Sequence, residues 1–236
     1  MAITYQLNFT IDAGGVAAIN GASQYITIVK QLNPLTSTSA GPPVAWLTFP
    51  AAQMITVQWE ENYFLYATNA QLQAGATIVS TASTPDAALA QAEYTFSSDL
   101  VFGLPQISPN IPAGTFEVNN QVGNNTWQFG LAQKATINGS KIPSPVPLNI
   151  VPVLNNETAT FTPEETVSIF LQSYSNNGVV LTQVAGNALQ VMLSGTNPSV
   201  NIDFDDVNNT FYIPPSTTMM SKGSSQRRAA LAATQR

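Results

Sequence analysis

The chain has 236 residues, 44% of them hydrophobic, and a formal net charge of −6. That is enough apolar material to bury a core without staples, and it excludes a disordered chain. There is no cysteine and no histidine, which removes disulfides, thiol catalysis, the Ser-His-Asp triad and the usual zinc ligands.

The first element is a strand. Ile3, Tyr5, Leu7, Phe9 and Ile11 alternate with Thr4, Gln6, Asn8, Thr10 and Asp12, one face buried and one wet. Gly14-Gly15 reads as its end. Further strands are predicted at Tyr25–Gln31, Val44–Phe49, Met54–Trp59, Tyr63–Thr68, Thr77–Thr81 and Glu93–Phe96. Thr84–Gln91 is the one helix expected in the body, with Pro85 and Asp86 at its first turn and alanines after them. Leu104–Gly114 holds three prolines and reads as a linker. Strands resume at Thr115–Asn119 and Trp127–Gln133. Prolines 143, 145, 147 and 152 then mark an extended or edge segment. The last strands are Thr166–Gln172, Val179–Val184, Leu189–Leu193, Val200–Phe204 and Thr210–Ile213. Short strands with turn signals every ~8 to 12 residues are the pattern of sandwiches and barrels.

Five blocks recur in order. Tyr5-Gln6-Leu7-Asn8-Phe9 aligns with Trp127-Gln128-Phe129-Gly130-Leu131, and Ile19-Asn20-Gly21 with Ile137-Asn138-Gly139. Ile28-Val29 and Leu32-Asn33 align with Ile150-Val151 and Leu154-Asn155. Phe49, Ile55 and Val57 align with Phe161, Val167 and Ile169, and Tyr94 and Phe96 with Ile202 and Phe204. The expected fold is therefore all-β: two tandem, internally duplicated antiparallel sandwiches at 1–103 and 126–213, a linker or crossover at 104–125, and a flexible basic tail at 214–236.

The charge is uneven. Residues 1–215 hold three lysines and all 13 acidic residues, a formal charge of −10, while residues 216–236 hold Lys222, Arg227, Arg228 and Arg236 and no acid. An acidic body argues against nucleic acid as a partner. The tail is expected to dock on an acidic neighbour, against the plainer reading of a solubilising terminus. No apolar window has the length a membrane helix needs, and the first residues read as a strand and not a leader. The expected location is the cytoplasm, or outside the cell by release without a classical signal peptide.

Three body sites stand out, each beside a plainer reading. Asp203, Asp205 and Asp206 offer oxygen ligands for calcium, or a solvated strand running into an Asx turn. Glu60-Glu61, echoed by Glu164-Glu165, resembles a glycosidase carboxylate pair, but neighbours on a strand point to opposite faces and would form a polar turn instead. Trp59, Tyr63, Phe64 and Tyr66, with Trp46 and Trp127, put aromatics on both faces of a strand. One face is core, and the other meets a ligand, a partner or the second domain. No phosphate-binding glycine loop or cofactor fingerprint is present. The leading expectation is a non-enzymatic, lectin-like module for carbohydrate or a glycosylated surface, working as a homo-oligomer without a cofactor. The rivals are a self-assembling structural protein, such as an inclusion or shell subunit, and a pore-forming or toxin-like β-protein.

Overall fold

Tyr5, Leu7 and Phe9 are buried and the residues between them are half-exposed, as the alternation requires for a strand with one covered face. This computed structural model describes residues 3–35, 41–69, 73–123 and 126–215. In chain order the elements are β1 (Thr4–Thr10), α1 (Ala13–Gly21), β2 (Tyr25–Leu35), β3 (Val44–Ala45), β4 (Leu47–Phe49), β5 (Met54–Thr68), β6 (Ala82–Ser83), β7 (Ala92–Phe96) and β8 (Gln106–Ile107). There follow β9 (Phe116–Asn120), β10 (Trp127–Ile137), β11 (Ser140–Lys141), β12 (Val146–Pro147), β13 (Val151–Val153) and β14 (Thr158–Gln172). β15 (Val179–Val180), β16 (Leu189–Met192), β17 (Ser199–Asp205) and β18 (Thr210–Tyr212) complete the chain.

The all-β expectation holds: the strands form two large sheets and a two-stranded ribbon. The tandem arrangement is corrected, because the two segments are interleaved rather than side by side. One sheet runs β11-β10-β5-β1-β17-β18 and the other β4-β2-β14-β9-β7-β8, so strands from 1–103 and from 126–213 sit in both. A single core lies between them, with Leu7, Phe9 and Val57 from one sheet against Ile28, Phe161 and Ile169 from the other. The segment 104–125, expected as a linker or crossover that could include an edge strand, holds the expected strand as β9, which lies inside its sheet between β14 and β7 and not at an edge.

The pairing pattern of the two sheets is the same. β5 and β14 are both 15-residue strands. β1 runs antiparallel to the first half of β5 as β9 does to β14, and β10 lies on the other side of β5 as β2 lies on β14. β17 is parallel to β1 as β7 is to β9, and β18 and β8 close the far edges. The set β1, β2, β5, β7, β8 thus matches the set β9, β10, β14, β17, β18 in chain order, with strands exchanged between sheets. The register places Tyr94 with Ile202, as the sequence alignment does, but matches Leu7 to Phe116 and not to Phe129.

Three local expectations are overturned. Residues Ala13–Gly21 are helical, because the Asp12 carboxylate caps the Gly15 N–H at 2.7 Å, and a side chain at Gly15 would press on Ile11 and Phe204. Thr84–Gln91 is not a helix. Its amides are claimed elsewhere: Ala88 N–H donates to the Tyr63 carbonyl at 2.7 Å and Leu89 N–H to the Tyr94 hydroxyl at 2.7 Å. The recurring Ile-Asn-Gly also takes two forms. It ends the helix at 19–21, whereas at 137–139 it turns the β10–β11 hairpin, with Asn138 and Gly139 at φ +50° and +77°.

The outer face of β5 is covered by the chain itself. Phe64 and Tyr66 pack with Val44, Ile78, Ala132, Ile150 and Val180, while Phe170 on β14 packs with Val29, Ala45, Val179 and Leu181. The ribbon of β3 and β15 supplies residues to both clusters.

Candidate functional site

The two sheets carry the same irregularity at the same place. On β10, Lys134 alone stands opposite Glu60, Glu61 and Asn62 of β5, since pairing resumes at Gln133–Tyr63 and Ala135–Trp59. On β2, Gln31 alone stands opposite Glu164, Glu165 and Thr166 of β14, between Lys30–Val167 and Leu32–Pro163. Such a bulge re-aims side chains and bends the strand, and it accommodates Pro163, which has no ladder donor.

Inside, the bulges gather a polar cluster in an apolar core. The buried Lys30 ammonium donates to Glu165 Oε1 at 2.7 Å, Tyr63 Oη at 3.0 Å and Gln133 Oε1 at 3.0 Å, which uses all three of its donors. Tyr63 Oη donates to Glu165 Oε1 at 2.6 Å and Trp59 Nε1 to Glu165 Oε2 at 2.9 Å. Gln133 Nε2 donates to the Glu60 carbonyl at 2.7 Å. The Tyr5 hydroxyl donates to Glu61. Rings of Trp46, Trp59 and Tyr63 lie 5.9, 5.6 and 5.0 Å from the ammonium, close enough for cation–π attraction.

Burial pulls the Lys30 pKa down to about 8, against the opposing pull of Glu165 and Glu61. Burial pushes the Tyr63 and Tyr5 hydroxyls well above their ordinary value, helped at Tyr63 by Glu165 and at Tyr5 by Glu61. The cluster is closed on itself: all three donors of its lysine are taken up by groups of the protein. It ties β2 and β14 of one sheet to β5 and β10 of the other.

Outside, the β5/β10 bulge opens a groove of about 510 Å³. Phe64 floors it, with the Lys134 ammonium 4.8 Å above the ring centre. Lys141 stands opposite Thr136 on the hairpin side, and Gln58, Glu60 and Asn62 form the β5 side, with Asn62 Nδ2 donating to Glu60 Oε2 at 2.9 Å. The matching bulge on the other sheet borders a smaller cavity of about 310 Å³. There Gln31 takes the place of Lys134 and Ser168 that of Phe64, beside Val29, Leu32, Pro43, Asn149 and Ile150.

The aromatics singled out from the sequence do not form an exposed platform. Trp59, Tyr63, Phe64 and Tyr66 are all buried, Trp59 and Tyr63 between the sheets and Phe64 and Tyr66 under the outer cover. Trp59 and Phe64 also border the groove. The aspartates serve a turn: Asp205 Oδ1 accepts from the N–H groups of Val207 at 3.0 Å and Asn208 at 3.1 Å, and Oδ2 from Asn208 Nδ2 at 2.7 Å. These bonds, those to Asn208 foremost, lower the Asp205 pKa. Asp203 and Asp206 do not join it as ligands; among the described residues no three acidic side chains gather as a metal site. Lys222, Arg227, Arg228 and Arg236 lie outside the described residues.

Lys30, Gln133, Lys134 and Lys141 are the residues that sequence reasoning missed, and Glu165 was read only as half of a polar pair. The usable signal was Glu60-Glu61 and Glu164-Glu165 at matching places, together with lysines so scarce that each is conspicuous. No protein family, curated protein or solved structure matches the chain.

Proposed function

We propose that the protein is a non-enzymatic, lectin-like binding module that takes carbohydrate in the β5/β10 groove. The observation that carries this reading is the groove's composition: amides of Gln58 and Asn62, the Thr136 hydroxyl and two ammonium groups around a phenyl floor, in a volume of about 510 Å³. Sugars present hydroxyls to polar rims and C–H faces to apolar floors, and ligand sites of this size are common. The buried cluster behind Trp59 holds the wall rigid, which lowers the ordering cost of binding. The matching strand sets are read as copies of one duplicated unit. Only one copy keeps the charged groove, so one site per chain is expected rather than two.

The test is a glycan array probed with the full-length chain and with the Asn62→Ala/Thr136→Ala variant. Binding that the variant loses supports the groove. An array silent at high protein concentration overturns the carbohydrate reading.

A second reading, self-association, is favoured by a different observation. The edge strands of both sheets carry exposed apolar residues, Leu104 and Ile107 at β8 and Tyr212 and Ile213 at β18. Among the described residues no further strand pairs with these edges, and such edges with apolar side chains are templates for pairing with another copy.

A further inference from the structure

We infer that the groove selects a saccharide bearing one acidic group, held at the Lys134 and Lys141 end; this rests on the carbohydrate reading of the same groove. Residues 1–215 carry a formal charge of −10 and contain three cationic side chains, Lys30, Lys134 and Lys141. Two of the three line this groove. The third lies directly behind it, 5.6 Å from the Trp59 ring, though it is sealed and neutralised by Glu165. On an acidic body this is the one described surface where an anion meets paired cations instead of net repulsion.

The matching bulge serves as an internal control. It has the same strand geometry and an acidic pair at the same place, yet Gln31 replaces Lys134 and no lysine other than the sealed Lys30 borders its cavity. The fold therefore does not require cations at this position, and their presence on one sheet only is a property of the groove.

The charge pattern also limits the ligand. Glu60 faces the lysines from the β5 side and accepts from Asn62. A polyanion filling the groove would meet that carboxylate at close range. A ligand with its acid at the lysine end and neutral hydroxyls toward Glu60, Asn62 and Gln58 satisfies both sides. Neither lysine offers the planar fork of arginine, so the acid is held as a point charge and affinity falls with salt.

The experiment compares two probes by titration calorimetry on the full-length chain: a disaccharide of glucuronic acid and a neutral hexose, and its carboxyl-reduced counterpart. The expected result is that the acidic probe binds about tenfold more tightly at low salt. That preference is expected to vanish in Lys134→Gln/Lys141→Gln, whose two changes are exposed and leave the unfolding midpoint in place. Equal binding of the two probes, or an acid preference that survives the double variant, overturns the inference and leaves the carbohydrate reading standing. Binding of neither probe, together with a silent glycan array, overturns both.

Discussion

Lys30 and Gln133 occupy matching places on β2 and β10, and they are hydrogen-bonded to each other across the core at 3.0 Å. Two positions that correspond between the strand sets can meet only near the axis that relates the sets. One of them carries a charge and the other a neutral amide. Two lysines there would repel. Two glutamines would leave Glu165, which is only slightly exposed, without a counter-ion.

The pH dependence of stability follows from the burial of Lys30. Its folded pKa, about 8, lies below the unfolded value of 10.5, so between those two pH values the unfolded chain holds the proton that the folded chain has released. Stability therefore rises with pH across this window, by roughly 3 kcal/mol if Lys30 acts alone. Tyr5, Tyr63, Tyr66 and Tyr94 have raised folded pKa values, so above pH ~10 the unfolded chain ionises first and stability falls. Urea unfolding from pH 7 to 11 should show a maximum between these limits. Lys30→Met should flatten the rising limb and leave the fall; an unchanged rising limb in that variant sinks the assignment.

Removing the acid is expected to cost more than removing the pair. Glu165→Gln leaves the Lys30 ammonium buried without its counter-ion and should lower stability at pH 7 by ~3 kcal/mol or more. Lys30→Met combined with Glu165→Gln removes both charges and should recover part of that loss. A double-mutant cycle reads the coupling directly, and additive effects would mean that the two groups do not form a unit.

Two glycines should respond to alanine with opposite signs. At Gly130 an added Cβ would stand 2.2 Å from the Asn149 carbonyl oxygen and 2.8 Å from Tyr66 Cε1, so Gly130→Ala must push β10 off its neighbours. A loss of ~3 kcal/mol or failure to fold is expected. At Gly21 nothing lies within 4 Å, and the residue closes α1. Gly21→Ala should raise stability by about 0.5 kcal/mol. Thermal midpoints of the two variants decide the matter.

The open edges lead to an association experiment. Light scattering of the full-length chain should report a mass that grows with protein concentration, and Ile107→Lys with Tyr212→Lys should return it to a monomer, because a lysine on a bare edge blocks strand pairing. A monomer at all concentrations removes the self-association reading.

What the sequence disclosed was local. The alternation from Thr4 to Thr10 fixes a strand and its buried face, and Tyr94, Phe96, Ile202 and Phe204 align in the register that the sheets adopt. Pairing partners were not legible. Leu7 and Phe129 share a sheet, yet alternation says nothing about which strand lies beside which. The helix at Ala13–Gly21 was hidden because Gly14-Gly15 reads as a breaker, and packing against Ile11 and Phe204 explains Gly15. Lys30 follows Val29 and precedes Gln31 in a pattern that suggests a wet face. Its burial depends on a bulge more than a hundred residues away, where Glu165 turns inward to meet it.

The exchange of strands sets an order for synthesis. β1 is made well before β17, yet Thr10 lies in register with Asp203, and the β1 edge stays open until β17 is made. β2 likewise waits for β14 and β7 for β9. Neither sheet can close on a nascent chain that stops near residue 107. Contacts so distant along the chain make folding slow and leave apolar edges bare while it proceeds. Folding should therefore wait for β17, and its yield should depend on whatever shields those early strands in the interval.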